Sequence, residues 1–148
     1  IVTADGKFLG RHQGCWRYTV GQRRGLGLPD ATPWYVIALD AQRNQVIVGK
    51  NKDLLQREVL LTDLRWQIAE LEQWQGHVQL RSRHQAAAAQ VLPAGQGCWH
   101  VCFAEPQWAV TPGQFAVLYE KETVAGSGVI VPKNTLSAQR CFHTFKAC

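Results

Sequence analysis

Methionine is absent from the 148 residues, which begin at Ile1. A chain of this length would ordinarily carry a few, and we expect it to be part of a longer protein. Long apolar runs are missing too. No stretch approaches the roughly 20 apolar residues of a membrane-spanning helix, although hydrophobic residues make up 46% and suffice for a core. Cysteine is sparse and unpatterned. Five scattered residues do not resemble the framework of a small secreted domain. On one strand, Cys98 and Cys102 would share a face about 13 Å apart, at roughly 3.3 Å per residue. That is too far for a mutual disulfide or a shared zinc ion, so both read as core thiols. Cys141, His143 and Cys148 offer three ligands in no common zinc spacing. The expected metal is none.

What the chain does carry is glycine and positive charge in one place. Tyr18-Thr19-Val20-Gly21-Gln22-Arg23-Arg24-Gly25-Leu26-Gly27 holds three glycines and two adjacent arginines. Glycines so dense imply a backbone that turns sharply or approaches something closely. Arg23 and Arg24 suggest that the partner bears phosphates or carboxylates. A tight loop with a solvated basic tip is the plainer reading of the same residues. The net charge of +5 is unevenly placed: residues 1–24 carry five basic residues against Asp5 alone, residues 59–148 seven against six acidic. The excess beside the loop favours a polyanionic partner.

Beta patterning dominates. Ile1–Ala4 and Lys7–Arg11 flank Asp5-Gly6, a hairpin turn signal. Trp34–Leu39 and Gln45–Gly49 form a second hairpin. One helical turn is expected at Asp53–Leu55, and a boundary near residue 58. Beyond it, strands are expected at Val59–Leu61, Trp66–Ile68, His77–Arg83, Ala86–Leu92, Trp99–Phe103, Gln114–Glu120 and Gly126–Val131, while Ala69–Gln75 by its own pattern passes for a short amphipathic helix or a loop. Four alanines favour helix at Ala86–Leu92 on propensity; strand is preferred because a barrel needs a partner there. Trp34, Trp66, Trp99 and Trp108 are expected to be mostly buried.

Tyr18 to Gly27 resembles the Y-T-[IVL]-G-Q-R-[KR]-G-L-G signature of the bacterial tRNA-specific 2-thiouridylases, also described as tRNA (5-methylaminomethyl-2-thiouridylate)-methyltransferases. Other blocks agree in order. Asp5-Gly6-Lys7, Leu9-Gly10 and His12-x-Gly14 resemble the lead-in, and Pro33-Trp34-Tyr35-Val36 with Asp40 the strand after the loop. Arg81-Ser82-Arg83-His84 resembles R-Y-R-[QH]. Val110-Thr111-Pro112-Gly113-Gln114 with Ala116-Val117 and Tyr119 resembles V-T-P-G-Q-x-A-V-x-Y. Gly126-Ser127-Gly128-Val129-Ile130 resembles G-G-G-x-I.

The resemblance implies a mainly β fold: a small central β-rich domain (1–58), then a six-stranded barrel like the second domain of translation elongation factors (59–131), with Ala69–Gln75 a loop or one turn between strands. Residues 132–148 run past the family pattern and read as a basic tail, partly disordered or docking. It implies a cytoplasmic tRNA-uridine 2-sulfurtransferase, which activates C2 of the wobble uridine with ATP and replaces its oxygen by persulfide sulfur. The family's S-G-G-x-D-S pyrophosphate loop and catalytic cysteines are absent from these residues. ATP (with magnesium) is therefore expected in a separate N-terminal domain, no cofactor and no catalytic residue here, and tRNA and a sulfur-donor protein as partners, with no membrane. The implied tRNA contacts are Arg81, Ser82 and Gln114, and the residues themselves add Arg83, Gln22, Arg23 and Arg24. Ser82 departs from the family tyrosine. It can hydrogen-bond a phosphate or ribose but cannot stack on a base. The alternatives are a structural barrel that buttresses the catalytic domain, and an autonomous thiol enzyme using Cys15 or Cys98.

Overall fold

The computed structural model describes residues 1–69, 71–82 and 84–132. Arg83, Cys141, His143, Cys148 and the tail from 133 onward lie outside them. The chain forms two compact units: Ile1–Gln56 with Gln107–Thr111, and Arg57–Pro106 with Pro112 onward. The second unit thus lends one short segment to the first.

In the first unit, β1 (Val2–Thr3), β2 (Tyr35–Asp40) and β3 (Gln45–Gly49) form a sheet in the order β1-β3-β2. β1 runs parallel to β3, and β2 antiparallel to it. The hairpin expected at Asp5-Gly6 is reduced to one bridge between Val2 and Phe8. Ile1, Leu26, Val36, Val46 and Val48 make the core, with Cys15, Tyr18 and Trp34 packed against it. Cys15 is therefore a packing residue. The expected helical turn starts two residues early and ends one early, as a 3-10 turn at Asn51–Leu54. Leu54 joins Val20 and Ala109 in a second cluster, closed by Tyr35 and Trp108.

The second unit is a closed barrel, as the sequence patterning anticipated. Its strands are β4 (Leu55–Trp66), β5 (Trp74–Gln79), β6 (Ala87–Gly95), β7 (Cys98–Trp108), β8 (Phe115–Glu120) and β9 (Thr123–Val131), in the order β4-β7-β6-β5-β8-β9. Closure matters because an open sheet exposes unpaired edge strands. The alanines of β6 are strand, not helix. Each of Ala87 to Ala89 is paired to β5, and these ladder bonds outweigh a propensity difference of a few tenths of a kcal/mol per residue.

Two details differ from the expected pattern. Val59–Leu61 and Trp66–Ile68 are not two strands. β4 runs through, and a register shift between Thr62 and Arg65 absorbs the irregularity, with Asp63 at φ 51°; such a bulge bends a strand without ending it. β5 starts earlier than His77 and ends at Gln79, where its pairing with β8 stops. His100 is buried, with Nε2 3.7 Å from the Glu58 carboxylate.

The tryptophans also sort differently. Trp34, Trp66, Trp99 and Trp108 are only half-buried, whereas Trp74 is 4% exposed. Trp66 lies between Trp74 and Trp99, with ring centroids 6.3 and 5.4 Å away. Trp74 gains its cover from Gly76, two residues along the same strand face. A methyl group at Gly76 would come within 2.3 Å of the Trp74 ring and 2.8 Å of the Tyr119 carbonyl oxygen. Gly76→Ala should therefore lower stability by about 1–3 kcal/mol through overpacking, read as a shifted midpoint in chemical denaturation.

Candidate nucleic-acid interface

The basic loop of the first unit is held at both ends. Gly21 takes a positive φ of 89°, which a side chain would disfavour. Its N–H donates to the Val36 carbonyl at 2.8 Å, and the Val36 N–H donates to the Gln22 carbonyl at 2.9 Å. The Gln22 side chain stays within the loop: its oxygen accepts from the Thr19 N–H at 3.1 Å and its NH2 donates to the Arg24 carbonyl at 2.9 Å. Leu26 plugs the core. At the far end, Lys50 donates to Asp30 at 2.6 Å and to the Thr32 carbonyl at 3.0 Å. Its ammonium also sits 3.4 Å from the centre of the Trp34 ring, a cation–π contact. The Lys50 hydrogen bond, helped by the Thr32 N–H, holds the Asp30 carboxyl below its usual pKa. Arg23 and Arg24 are thus exposed on a fixed loop. Gln22 organises that loop.

The barrel brings together residues that are distant in sequence. Past Gln79 the chain turns, and the His84 N–H donates to the Arg81 carbonyl at 3.0 Å. The Gln79 side chain braces this turn. Its NH2 donates to the His84 carbonyl at 2.7 Å, and its oxygen accepts from the Tyr119 hydroxyl at 3.3 Å. Opposite, the Gly113 N–H donates to the Ile130 carbonyl and the Ile130 N–H to the Gln114 carbonyl, both at 2.8 Å. These bonds anchor the Pro112-Gly113 turn while the Gln114 side chain stays exposed. Arg81, Ser82, His84, Gln114 and Phe115 line one open cleft of about 730 Å³.

Arg81, Ser82 and Gln114 are therefore neighbours, as a common ligand would require. Arg81 does not lie on a strand face, because β5 has ended; it projects from the turn and is half-buried. Gln22, Arg23 and Arg24 belong to the other unit. Gln79 and Phe115 carry no motif signal of their own, whereas His84 and Tyr119 fall within the R-Y-R-[QH] and V-T-P-G-Q-x-A-V-x-Y resemblances without a role assigned to them. Among the described residues, no group of three His, Cys, Asp or Glu could hold a metal ion, and no helix is long and apolar enough to cross a membrane.

The cleft is lined by hydrogen-bond donors and has one titrating neighbour. Burial lowers the Arg81 pKa, yet a guanidinium stays charged at any ordinary pH. His84 is pushed below its usual pKa, by burial first and then by the Arg81 charge. The folded state thus holds this proton less tightly than the unfolded chain. The associated stability is complete above about 6.5, the unfolded value, and declines as pH falls from there towards the lower folded pKa. In an NMR titration His84 should show a midpoint below that of a free histidine. Arg81→Ala should move it upward by removing the second cause; an unmoved midpoint would mean that the two side chains do not interact.

Comparison with known proteins agrees with this layout. Residues 1–50 match the tRNA methyl transferase PRC-barrel domain, and residues 56–130 the aminomethyltransferase beta-barrel domain. The tRNA-specific 2-thiouridylase MnmA of Desulfotalea psychrophila is 47% identical over 134 residues, covering 88% of this chain and 39% of the relative. The proteins of the same name from Syntrophotalea carbinolica and Microcystis aeruginosa are 44% and 42% identical, with 88% of this chain and 37% and 38% of theirs covered. The chain thus spans under two fifths of the length of these relatives. Two domain matches in order, the closed barrel and this similarity together place the chain in the tRNA-specific 2-thiouridylase family, as a C-terminal part of it.

Proposed function

We propose that this chain is the tRNA-binding and positioning portion of a 2-thiouridylase. The observation that carries the reading is the convergence of Arg81, Ser82 and Gln114 on one cleft of the barrel. A guanidinium there offers paired donors to a phosphate. The Ser82 hydroxyl suits a phosphate or ribose oxygen, and the Gln114 amide can both donate and accept. The exposed Arg23 and Arg24 add phosphate contacts or order the catalytic loop of the enzyme's other domain.

In the complete enzyme, these contacts grip the body of the tRNA so that the wobble uridine reaches the active site. Activation by ATP and transfer of persulfide sulfur belong to the nucleotide-binding domain, whose pyrophosphate loop is not among these residues. This portion alone neither adenylates nor thiolates tRNA, and delivery by a sulfur-donor protein is a matter for that domain.

Such binding is mostly electrostatic, because each neutralised phosphate releases counterions. Affinity of the 148-residue chain for unmodified tRNA should fall steeply between about 50 and about 200 mM salt. Arg81→Ala should weaken it and reduce the slope of log K against log salt by about 1. Binding that ignores salt, or that Arg81→Ala leaves unchanged, would instead favour a barrel that only buttresses the catalytic domain.

A further inference from the structure

We infer that Phe115 is a nucleobase-stacking platform, which gives the barrel cleft a contact to bases as well as to the backbone of RNA. The inference rests on the tRNA-binding reading and specifies it at the level of a single base. Phe115 opens β8, whose residues alternate between the two faces of the barrel. Ala116 and Leu118 point inward and are fully buried. Phe115, Val117 and Tyr119 point outward. Val117 and Tyr119 are half-covered, whereas Phe115 is 63% exposed. Its ring contributes little to the core, and its strand is an interior member of a closed ladder, paired to β5 and β9.

The surroundings of the ring point to a base. Phe115 shares the cleft with Arg81, Ser82, His84 and Gln114. A protein partner that docked on an apolar surface would need a contiguous patch. Here the other apolar lining residues, Leu80 and Val117, are buried or half-covered, and the ring stands among polar groups. A nucleotide matches that mixture. Its phosphate and ribose suit Arg81 and Ser82, its flat face suits the phenyl ring, and its polar edge suits the Gln114 amide next to that ring. Ser82 itself supplies no ring. The more exposed Trp16, on the first unit, is a poorer platform because the Arg17 guanidinium already lies 5.6 Å from its ring centre.

The test compares wild type, Phe115→Leu, Phe115→Tyr and Arg81→Ala in the 148-residue chain, binding unmodified tRNA at low and moderate salt. Phe115→Leu keeps apolar bulk and removes the ring. It should weaken tRNA binding about 5- to 150-fold, the range for one stacked base, with an unchanged salt slope because no charge is lost. Phe115→Tyr should retain binding. Inorganic polyphosphate, which has no bases, should bind wild type and Phe115→Leu alike. Exposure of the side chain predicts equal melting temperatures, which separates the effect from misfolding. If Phe115→Leu binds tRNA as tightly as wild type while Arg81→Ala does not, the stacking role is wrong and the tRNA reading stands. If Phe115→Leu weakens polyphosphate equally, or Phe115→Tyr is as weak as Phe115→Leu, the ring is not stacking on a base. If wild type binds no tRNA, both readings fall.

Discussion

The cleft depends on a closed ladder of backbone hydrogen bonds. Because β5 pairs with both β6 and β8, its last residue is fixed relative to the first residues of β8. The turn after Gln79 and the turn before Phe115 are then forced to be neighbours. An open sheet would leave strand edges unpaired and free to slip in register. A slip of one residue would exchange Phe115 with Ala116, placing a ring in the core and emptying the cleft. The bulge in β4 and the close approach of Gly76 to Trp74 are local accommodations that let the ladder close around large side chains.

Upon this frame, a single amide braces the turn that lines the barrel cleft. Gln79 joins the Tyr119 hydroxyl on β8 to the His84 carbonyl in the turn. It uses both ends of one side chain to hold a segment that has left the sheet. The first unit repeats the device with Gln22, whose amide bonds the Thr19 N–H and the Arg24 carbonyl. In both places a neutral amide satisfies the backbone of a turn that also carries an arginine, fixing its geometry through donors and acceptors of one side chain.

The two units therefore offer different chemistry. The loop of the first is charge on a rigid support, with Lys50 tying its far end to Asp30 and Thr32. The barrel cleft mixes a half-buried guanidinium, a hydroxyl, an amide and a ring. Contacts of the first kind position a nucleic acid without reading it, and those of the second kind can meet bases. Both are compatible with the proposed tRNA-positioning role.

Much of this was legible in the residues themselves. Short strands with turn signals announced a barrel, Gln45–Gly49 emerged with the expected bounds, and the crowded glycines of residues 21–27 marked a loop. These features are set by neighbours in the chain: alternation, turn chemistry and backbone freedom. Local pattern was a poorer guide where partners lie far away. Four alanines could not by themselves show that β6 is a strand, because β5 and β7 make it one. Burial of Trp74 rather than the other tryptophans follows from the gap over Gly76 and the neighbouring Trp66. The register of β5 decided that Arg81 would leave the sheet. The Gln79–Tyr119 hydrogen bond and the exposure of Phe115 arose only when closure brought two ends of the barrel together. The sequence by itself determined which chemical groups were available and that they would be carried on β structure. Tertiary structure decided which of them meet, because strand pairing links residues with no local relation to one another.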